Sequence, residues 1–314
     1  MRCLLVGNYG VDNLGDEALK EYFLKAFPDV QWTVLSASPG DGEVPRLPFG
    51  VRSLLTTPWL HTLWAYVRCR AVVFGGGSLF TDVESSKACL LWWWHSFVAR
   101  LLRKRVVLAF QGIGPVTTGV GEWCAKSAIS HAAFISVRDP ESAQRARGWA
   151  RARVIISFDP VLSLIPDAAR NTAGNLLTVI PRGNADESFR SIVLSAAERH
   201  STKAVNIVSL DPGSVSEQIL CRSLCEKIGP RCSIKSASSI DELSAALADT
   251  ALVITARYHG AVAALGLHIP FEAVPQAPGD KLDVLRSLQA DGSEPLRAAV
   301  RVGEEELRKY INML

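Results

Sequence analysis

The sequence lacks a long apolar run. Its most hydrophobic stretch, residues 88–102, is shorter than the roughly 18 apolar residues needed to span a bilayer, and His95 and Arg100 interrupt it. The first ten residues also lack the extended apolar segment and small-residue cleavage site of a signal peptide. We therefore expect no transmembrane helix and a cytoplasmic protein.

The sequence also has little excess charge. The formal net charge is +3, and the lysines and arginines form no block long enough to follow a phosphate backbone. Nucleic acid is therefore not an expected partner, whereas a small anionic substrate or an acidic membrane surface is compatible with this balance.

The cysteines show neither a metal-binding nor a secreted pattern. They are odd in number, and no C-x-x-C pair or histidine partner completes a tetrahedral zinc set. We expect no metal site and buried thiols in a reducing compartment. The seven are Cys3, Cys69, Cys89, Cys124, Cys221, Cys225 and Cys232.

A nucleotide fingerprint is missing as well. The first glycine-rich loop, residues 7–17 (GNYGVDNLGDE), has neither the G-x-G-x-x-G spacing nor a P-loop lysine, so it predicts no nicotinamide cofactor and no nucleoside triphosphate. Its free backbone N–H groups could still bind a ligand, which makes Asn13 and Asp16 candidate binding residues. The alternative is a tight turn with Asp16 favoured by the dipole of the following helix.

What the sequence does contain is a rhythm of short β-rich runs and longer helical segments. This alternation predicts an α/β protein with two Rossmann-like domains that face each other across a cleft. The predicted domains are residues 1–165 and 166–314, with a hinge near 160–175. We expect the last helix, 304–314, to pack back against the junction. A chain of 314 residues exceeds the size at which one core stops growing. The predicted strands are Cys3–Val6, Trp32–Leu35, Ala71–Phe74, Val106–Phe110, Phe134–Val137, Val154–Ser157, Leu176–Ile180, Ala204–Ser209, Leu252–Thr255 and Phe271–Ala273.

Ligands of such sheets sit beyond the carboxyl ends of the strands, and one candidate loop there is rich in glycine. Gly75, Gly76, Gly77 and Ser78 follow an apolar strand, and Asp82 comes shortly after. We expect the glycines to open a helix and to cradle an anion. Close sheet–helix packing is the alternative, and it explains one glycine better than three.

Cationic residues follow two predicted strands of the second domain. Arg257 and His259 come directly after the strand at 252–255, and Arg182 follows the strand at 176–180. A guanidinium can grip a carboxylate or phosphate, and an imidazole can carry a proton near neutral pH. Two arginines on neighbouring loops suit a ligand with two anionic groups.

Together these motifs resemble the polysaccharide pyruvyl transferase family. The resemblance rests on loop 7–17, GGGSLFTD (75–82), QGIGP (111–115), SVRDPES (136–142), the Asp159-Pro160 pair and ARYHGAVAALGLHIP (256–270), which occur in the family's order. It implies a glycosyltransferase-B-like fold, phosphoenolpyruvate as donor, a sugar acceptor, and neither a cofactor nor a metal. Members commonly carry leucine where this chain has Tyr258, a change that would affect acceptor choice more than reaction type.

The resemblance also implies roles for individual residues. Arg257 and Arg182 would bind the donor, His259 would act as general acid or base, and Asp82 would orient or deprotonate the acceptor hydroxyl. Lys281 matches a family lysine more weakly. Two alternatives stay open: a nucleotide-sugar glycosyltransferase with Arg257 and Lys281 on the diphosphate and Glu272 at the ribose, and a sugar- or lipid-binding module without catalysis.

Three adjacent tryptophans in residues 88–102 cannot all face one core, because successive helical residues point about 100° apart. We expect at least one ring to meet a neighbouring loop, a second subunit of a homo-oligomer, or a lipid surface. If a lipid surface covers it, Arg100, Arg103, Lys104 and Arg105 would meet anionic headgroups at the inner membrane face, where a lipid-linked sugar could be received. Coverage of all three rings by the protein's own loops or by a second subunit is the alternative.

Overall fold

The computed structural model describes residues 1–83, 85–167, 174–200, 203–276 and 281–314. The chain divides into two compact units. The first comprises Met1–Val11, Leu19–Pro160 and Leu296–Leu314, and the second comprises Asp12–Ala18 and Val161–Pro295. These units differ from the predicted division at 165/166, because a short early segment belongs to the second unit and the chain end belongs to the first. Part of the predicted hinge, 168–173, lies outside the described residues.

The first unit contains a seven-stranded sheet in the order β3-β2-β1-β4-β5-β6-β7, and every pair is parallel. All five residues of the central strand β4 are buried, as expected where helices cover both faces of a parallel sheet. The strands are β1 (Arg2–Val6), β2 (Gln31–Ser36), β3 (Glu43–Pro45), β4 (Ala71–Gly75), β5 (Arg105–Gln111), β6 (Phe134–Val137) and β7 (Val154–Ile156).

Among the described residues, seven helices contribute to this unit. The longest, α12, carries the chain end and buries Val300, Gly303 and Leu307 along one face. A side chain at Gly303 would overlap Ser157 and Phe110, so the glycine permits close packing against the sheet. The helices are α1 (Leu14–Ala26), α2 (Val51–Thr56), α3 (Trp59–Arg68), α4 (Ser86–Leu101), α5 (Gly119–Ser130), α6 (Pro140–Arg147) and α12 (Glu294–Asn312).

The second unit contains a five-stranded parallel sheet in the order β10-β9-β8-β11-β12. Its strands are β8 (Leu176–Ile180), β9 (Ala204–Ser209), β10 (Cys232–Ser236), β11 (Thr250–Thr255) and β12 (Phe271–Ala273). Its helices are α7 (Glu187–Arg199), α8 (Val215–Ile228), α9 (Ile240–Ala246), α10 (Tyr258–Gly266) and α11 (Lys281–Leu288), with short 3-10 turns at Pro160–Leu164 and Gln289–Asp291.

The predicted α/β class with two Rossmann-like sheets is confirmed, and each of the ten predicted strands overlaps an observed one. The edge strands β3 and β10 and the helices α2 and α3 were not predicted from the sequence. In the part of the chain that the structure describes, no helix combines the length and the hydropathy needed to cross a bilayer.

The three tryptophans of α4 pack against this chain's own side chains. Trp92 is buried in the core of the first unit. The Trp93 ring lies 4.6 Å from that of Trp123 on α5, and the Trp94 ring stacks on Phe97. Trp93 and Trp94 are only partly buried, and part of each ring is covered by these neighbours from the same chain.

Two cysteines depart from the expectation of unpaired thiols. Cys225, on α8, forms a disulfide with Cys232, the first residue of β10. The remaining five cysteines are free and buried, as predicted. The expectation is therefore wrong for this pair.

His95 on α4 makes the free energy of unfolding depend on pH. Its ring is fully buried, and its Nδ1 lies 2.7 Å from the hydroxyl of Tyr66. Burial, with a smaller contribution from the charge of Arg46, lowers the pKa of His95 from 6.5 to about 3. Because the folded state disfavours the protonated ring, the contribution to stability is complete above pH 6.5 and is lost progressively as the pH falls towards 3.

We expect His95→Gln to reduce this acid sensitivity. The wild type should lose about 2 kcal/mol of unfolding free energy through this group between about pH 6.5 and pH 4.5, and the variant should not. Urea unfolding at a series of pH values measures the difference, with the exposed His131→Gln as matched control. Equal acid sensitivity in His95→Gln and wild type would contradict the assignment.

Candidate active site

Two arginines follow neighbouring strands of the second unit at the same sheet edge. Ile180, the last residue of β8, pairs in register with Thr255, the last residue of β11. Arg182 and Arg257 each come two residues later. Their backbones therefore lie on adjacent loops at the carboxyl edge, where ligands of parallel sheets bind.

The turn before α10 fixes the backbone of Arg257. The Thr255 hydroxyl donates to the Arg257 carbonyl and accepts from the Arg257 N–H, both at 2.9 Å. A side chain at Gly260 would come within 2.5 Å of the same hydroxyl. The local sequence thus holds Arg257 at the N-terminal cap of α10.

The guanidinium of Arg257 is held by carboxylates. Its Nη2 donates to Glu217 and, at 3.3 Å, to Asp211. Glu217 is fully buried, and its other oxygen accepts from the Ser209 hydroxyl at 2.8 Å and from the N–H groups of Leu210 and Asp211 at 3.1 Å. Glu217 was not predicted from the sequence, because its buried carboxylate meets Arg257 only when the fold brings α8 and α10 together.

His259 lies in the first turn of α10, against the first loop of the chain. A methyl group at Gly15 would overlap its imidazole, so glycine is required there for the ring to occupy this position. The ring meets that of Tyr258 edge to face, with centroids 5.3 Å apart. The structure therefore brings the predicted histidine against the part of the first loop, residues 12–17, that belongs to the second unit.

Asn13 and Asp16 occupy the start of α1 in this same segment. The Asn13 side-chain oxygen accepts from the Gly15 N–H at 3.0 Å, and its carbonyl accepts from Glu17 at 3.0 Å. Asn13 thus has a capping role, and Asp16 lies in the first turn, where the helix dipole favours a negative charge.

The loop of Arg182 rests on the start of α8. A side chain at Gly183 would overlap the Ser216 hydroxyl and lie 3.1 Å from the Glu217 backbone nitrogen. Ser214 caps this helix by accepting from the Glu217 N–H. Lys281 is the first residue of α11, while the segment before it, 277–280, lies outside the described residues.

In the first unit, the glycine run does not open a helix, so this expectation is wrong. The next helix, α4, begins at Ser86, and Gly75, Gly76 and Gly77 are buried. Gly75 accepts from the Tyr9 hydroxyl at 2.8 Å, Gly76 from the Gln111 side chain at 2.9 Å, and Gly77 from the Gly112 N–H at 2.7 Å. These contacts occupy carbonyl oxygens, and the Gly76 N–H donates to the Ala109 carbonyl at 2.8 Å, so part of the glycine run serves packing. An anion would be bound by backbone N–H groups, and the cradle stays a prediction.

The remaining motifs of the first unit converge on a buried ion pair. Arg138 donates to Asp159 at 2.8 Å and to the Ser78 hydroxyl at 3.0 Å, and both charged side chains are buried. A side chain at Gly112 would overlap the Ser78 hydroxyl. Ser78 is therefore part of a cluster that joins the loops after β4, β5 and β6, a role that the sequence did not reveal for Arg138 and Asp159.

Asp82 anchors the N-terminus of α5. Its two carboxylate oxygens accept from the N–H groups of Thr117 and Thr118 at 2.7 Å and from both threonine hydroxyls. Burial alone would raise the pKa of Asp82, but hydrogen bonds, chiefly from the Thr118 hydroxyl, lower it below its ordinary value. A low pKa and occupied lone pairs argue against the predicted role as a base and favour a structural one.

We expect Asp82→Asn to affect stability more than turnover. Replacing the carboxylate weakens several charge-assisted hydrogen bonds and leaves one amide group badly matched to its N–H donors, at a cost of about 1–3 kcal/mol. Denaturant unfolding and steady-state rates measure the two effects, and the exposed Asp29→Asn is the control. A hundredfold loss of turnover with unchanged stability would restore the catalytic assignment.

A cavity of about 620 Å³ lies elsewhere in the first unit. Its lining includes Arg2 and Gln31, the first residues of β1 and β2, together with Trp64 of α3. The lining also includes all of β3 and part of the loop before it, so the cavity runs along the β3 edge of the sheet, and none of the predicted site residues lines it. Within the described residues, no group of three or more metal-ligating side chains clusters.

Solved structures with a similar fold are glycosyltransferases and epimerases. Anabaena HepE in complex with UDP-glucose matches with a TM-score of 0.61 and 12% identity over the whole of both chains. MnaA of S. aureus in complex with UDP matches with a TM-score of 0.60 and 8% identity over 100% of this chain and 98% of the other. A UDP-N-acetylglucosamine 2-epimerase from Rickettsia bellii matches with a TM-score of 0.58 and 9% identity over 99% and 96%. These likenesses confirm the predicted glycosyltransferase-B-like fold.

No curated protein matches the sequence. The sequence model of the family described as polysaccharide pyruvyl transferase matches residues 8–275, which includes the first loop, both arginine loops and α10. The chain therefore belongs to the polysaccharide pyruvyl transferase family.

Proposed function

We propose that the protein transfers pyruvate from phosphoenolpyruvate to two hydroxyls of one sugar, forming a pyruvate ketal and releasing phosphate. In this reaction the methylene carbon of the donor gains a proton and becomes a methyl group. The bond between its central carbon and the phosphate oxygen breaks, and two bonds from that carbon to sugar oxygens form. Of the two hydroxyl protons, one balances the methyl group and the other leaves with phosphate.

The position of His259 is the observation that carries this proposal. The reaction needs a group that moves protons beside a site for two anions. His259 is held in the first turn of α10 by its packing against Gly15, at the sheet edge where Arg182 and Arg257 emerge. We assign proton transfer to this imidazole.

The two arginines contribute unequally in the proposed donor site. The single positive charge of Arg257 faces two carboxylates, Glu217 and Asp211, through Nη2, so this cluster has no net positive charge and Arg257 offers a ligand hydrogen bonds from Nη1 only. Arg182 lies beside the start of α8, whose N-terminus also favours an anion. We therefore assign the phosphate to Arg182 and the carboxylate to Arg257, and we leave Asp82 out of the chemistry.

The contacts give less support to a nucleotide-sugar glycosyltransferase. The acidic residue considered for the ribose, Glu272, is the middle residue of β12 and pairs in register with Ile254. It is thus part of the sheet and does not lie on a donor loop. The UDP and UDP-glucose of the structural neighbours belong to those proteins.

The test is incubation of the full chain with phosphoenolpyruvate and a panel of free, nucleotide-linked and lipid-linked sugars. We expect phosphate release that depends on one acceptor and equals, mole for mole, an acceptor gaining the mass of a pyruvate ketal. UDP-sugars without phosphoenolpyruvate are the parallel arm. Glycosyl transfer in that arm, or phosphate release without ketal, would overturn the proposal, and ligand binding without any turnover would favour a binding module.

A further inference from the structure

The helices α2 and α3 expose an unusual amount of apolar surface. Helix α2 has no buried residue at all, and its Leu55 is 80% exposed. On α3, Leu60 and Trp64 are 65% and 59% exposed. The Trp59 indole donates to the Leu54 carbonyl at 3.1 Å, which ties the two helices together. We call the exposed apolar residues of these helices the α2–α3 face: Val51, Leu54, Leu55, Leu60, Trp64 and Val67.

The α3 part of this face is a stripe along one side of the helix. Leu60, Trp64 and Val67 are spaced four and three residues apart, which places them on one line of a 3.6-residue helix. The buried residues, Thr62 and Tyr66, lie on the opposite side. Helix α3 therefore has apolar side chains on two opposite sides. One side packs on the sheet and the other faces solvent.

Only one sign of charge accompanies this face in the sequence. Between Glu43 and Asp82 the chain has no acidic residue. Arg52 is exposed on α2, and the Arg68 guanidinium lies over the Trp64 ring, 5.2 Å from its centroid. The nearest acid in sequence, Glu43, already pairs with Lys20 at 3.2 Å.

A second cationic segment borders the same face. The Lys104 ammonium donates to the carbonyls of Val67 and Cys69 at 2.7 and 2.9 Å, which places the turn after α4 at the end of α3. Arg103 in this turn is exposed. Exposed leucines and a tryptophan edged by arginines match the chemistry of an anionic membrane interface, where aromatic rings sit at headgroup depth and cations meet lipid phosphates.

We propose that the α2–α3 face docks the protein on a bilayer containing anionic lipid. The apolar side chains enter the headgroup region, and Arg52, Arg68 and Arg103 contact the phosphates. This relocates the membrane contact from α4, whose tryptophans pack on the protein itself, to a neighbouring pair of helices. The inference is independent of the proposed reaction, because docking needs neither donor nor acceptor.

Vesicle flotation of the full chain, without phosphoenolpyruvate, tests the proposal. We expect binding to phosphatidylglycerol vesicles that weakens at high salt and is much weaker on phosphatidylcholine alone. Leu55→Ser with Trp64→Ser should lower the partition coefficient by on the order of tenfold or more. Arg52→Gln and Arg68→Gln should each lower it by about fivefold.

Matched controls lie on α8 of the other unit. Val215 and Ile219 are 73% and 61% exposed, so Val215→Ser with Ile219→Ser removes comparable apolar surface, and Arg222→Gln removes an exposed cation. These controls should float like wild type. All of the substituted side chains are exposed, so we expect every variant to fold. Circular dichroism and thermal melts check this.

Three results would overturn the proposal. The wild type could fail to float at low salt, or it could float equally well after loss of Leu55 and Trp64. Sedimentation could also show a dimer that these two substitutions dissociate, in which case a second copy covers the face.

Discussion

His259→Gln should lower the turnover of ketal formation by about a hundredfold or more, because a positioned acid or base contributes on that scale and glutamine cannot transfer the proton. The donor should still bind, since its two anionic groups are assigned to Arg182 and Arg257. Turnover with the acceptor found in the panel, and the shift of the melting temperature with phosphoenolpyruvate, measure the two quantities separately.

Gly15 offers an independent test of the same position. Gly15→Ala introduces a methyl group where the imidazole now lies, so the ring must move, and we expect turnover to fall although no reacting group has been removed. Gly40→Ala is the matched control, because nothing lies within 4 Å of the added methyl group. The control should have wild-type activity.

These variants distinguish proton transfer from binding. A parallel loss of the melting shift and of turnover in His259→Gln would make the imidazole a binding residue. Wild-type turnover in both His259→Gln and Gly15→Ala would remove the start of α10 from the mechanism.

The sequence predicted the sheets well because their strands are apolar on both faces. In a parallel sheet covered by helices, strands such as β4 and β8 read as continuous β-branched and aliphatic runs. The missed strands lack that signal: β10 has four exposed residues, and β3 has three residues and ends in proline. Helix α2 was not predicted because it has no buried side, and α3 because its apolar residues lie on two sides and so mark no single buried one.

The sequence located the site loops but not the partners of their side chains. Arg257 and His259 lie at the strand end where the pattern put them, yet the neutralisation of Arg257 by Glu217 joins residues 40 positions apart. The hydrogen bonds from Thr117 and Thr118, at the start of α5, to Asp82 span a similar distance of 35 and 36 positions. Such pairings depend on which loops the fold brings together, so they cannot be predicted from the spacing of residues within one loop.

The buried pair of Arg138 and Asp159 should be the most sensitive point of the first unit. Their side chains are 4% and 0% exposed. Asp159→Asn leaves the guanidinium charge in the interior without its carboxylate, and we expect a loss of about 3–5 kcal/mol in the free energy of unfolding. Chemical denaturation followed by tryptophan emission measures it.

The surface pair of Glu141 and Arg145 on α6, with a similar separation of 2.9 Å, is the matched control. Glu141→Gln should cost at most about 0.5 kcal/mol, because water already solvates both charges. Replacing both buried partners, as in Arg138→Met with Asp159→Leu, should recover much of the loss, since no charge then remains to be desolvated. If Asp159→Asn costs no more than Glu141→Gln, the interior ion pair does not hold the loops after β4, β5 and β6 together. If Arg138→Met with Asp159→Leu recovers the free energy of unfolding but not the turnover, the main role of the ion pair is to position the loop that carries Ser78.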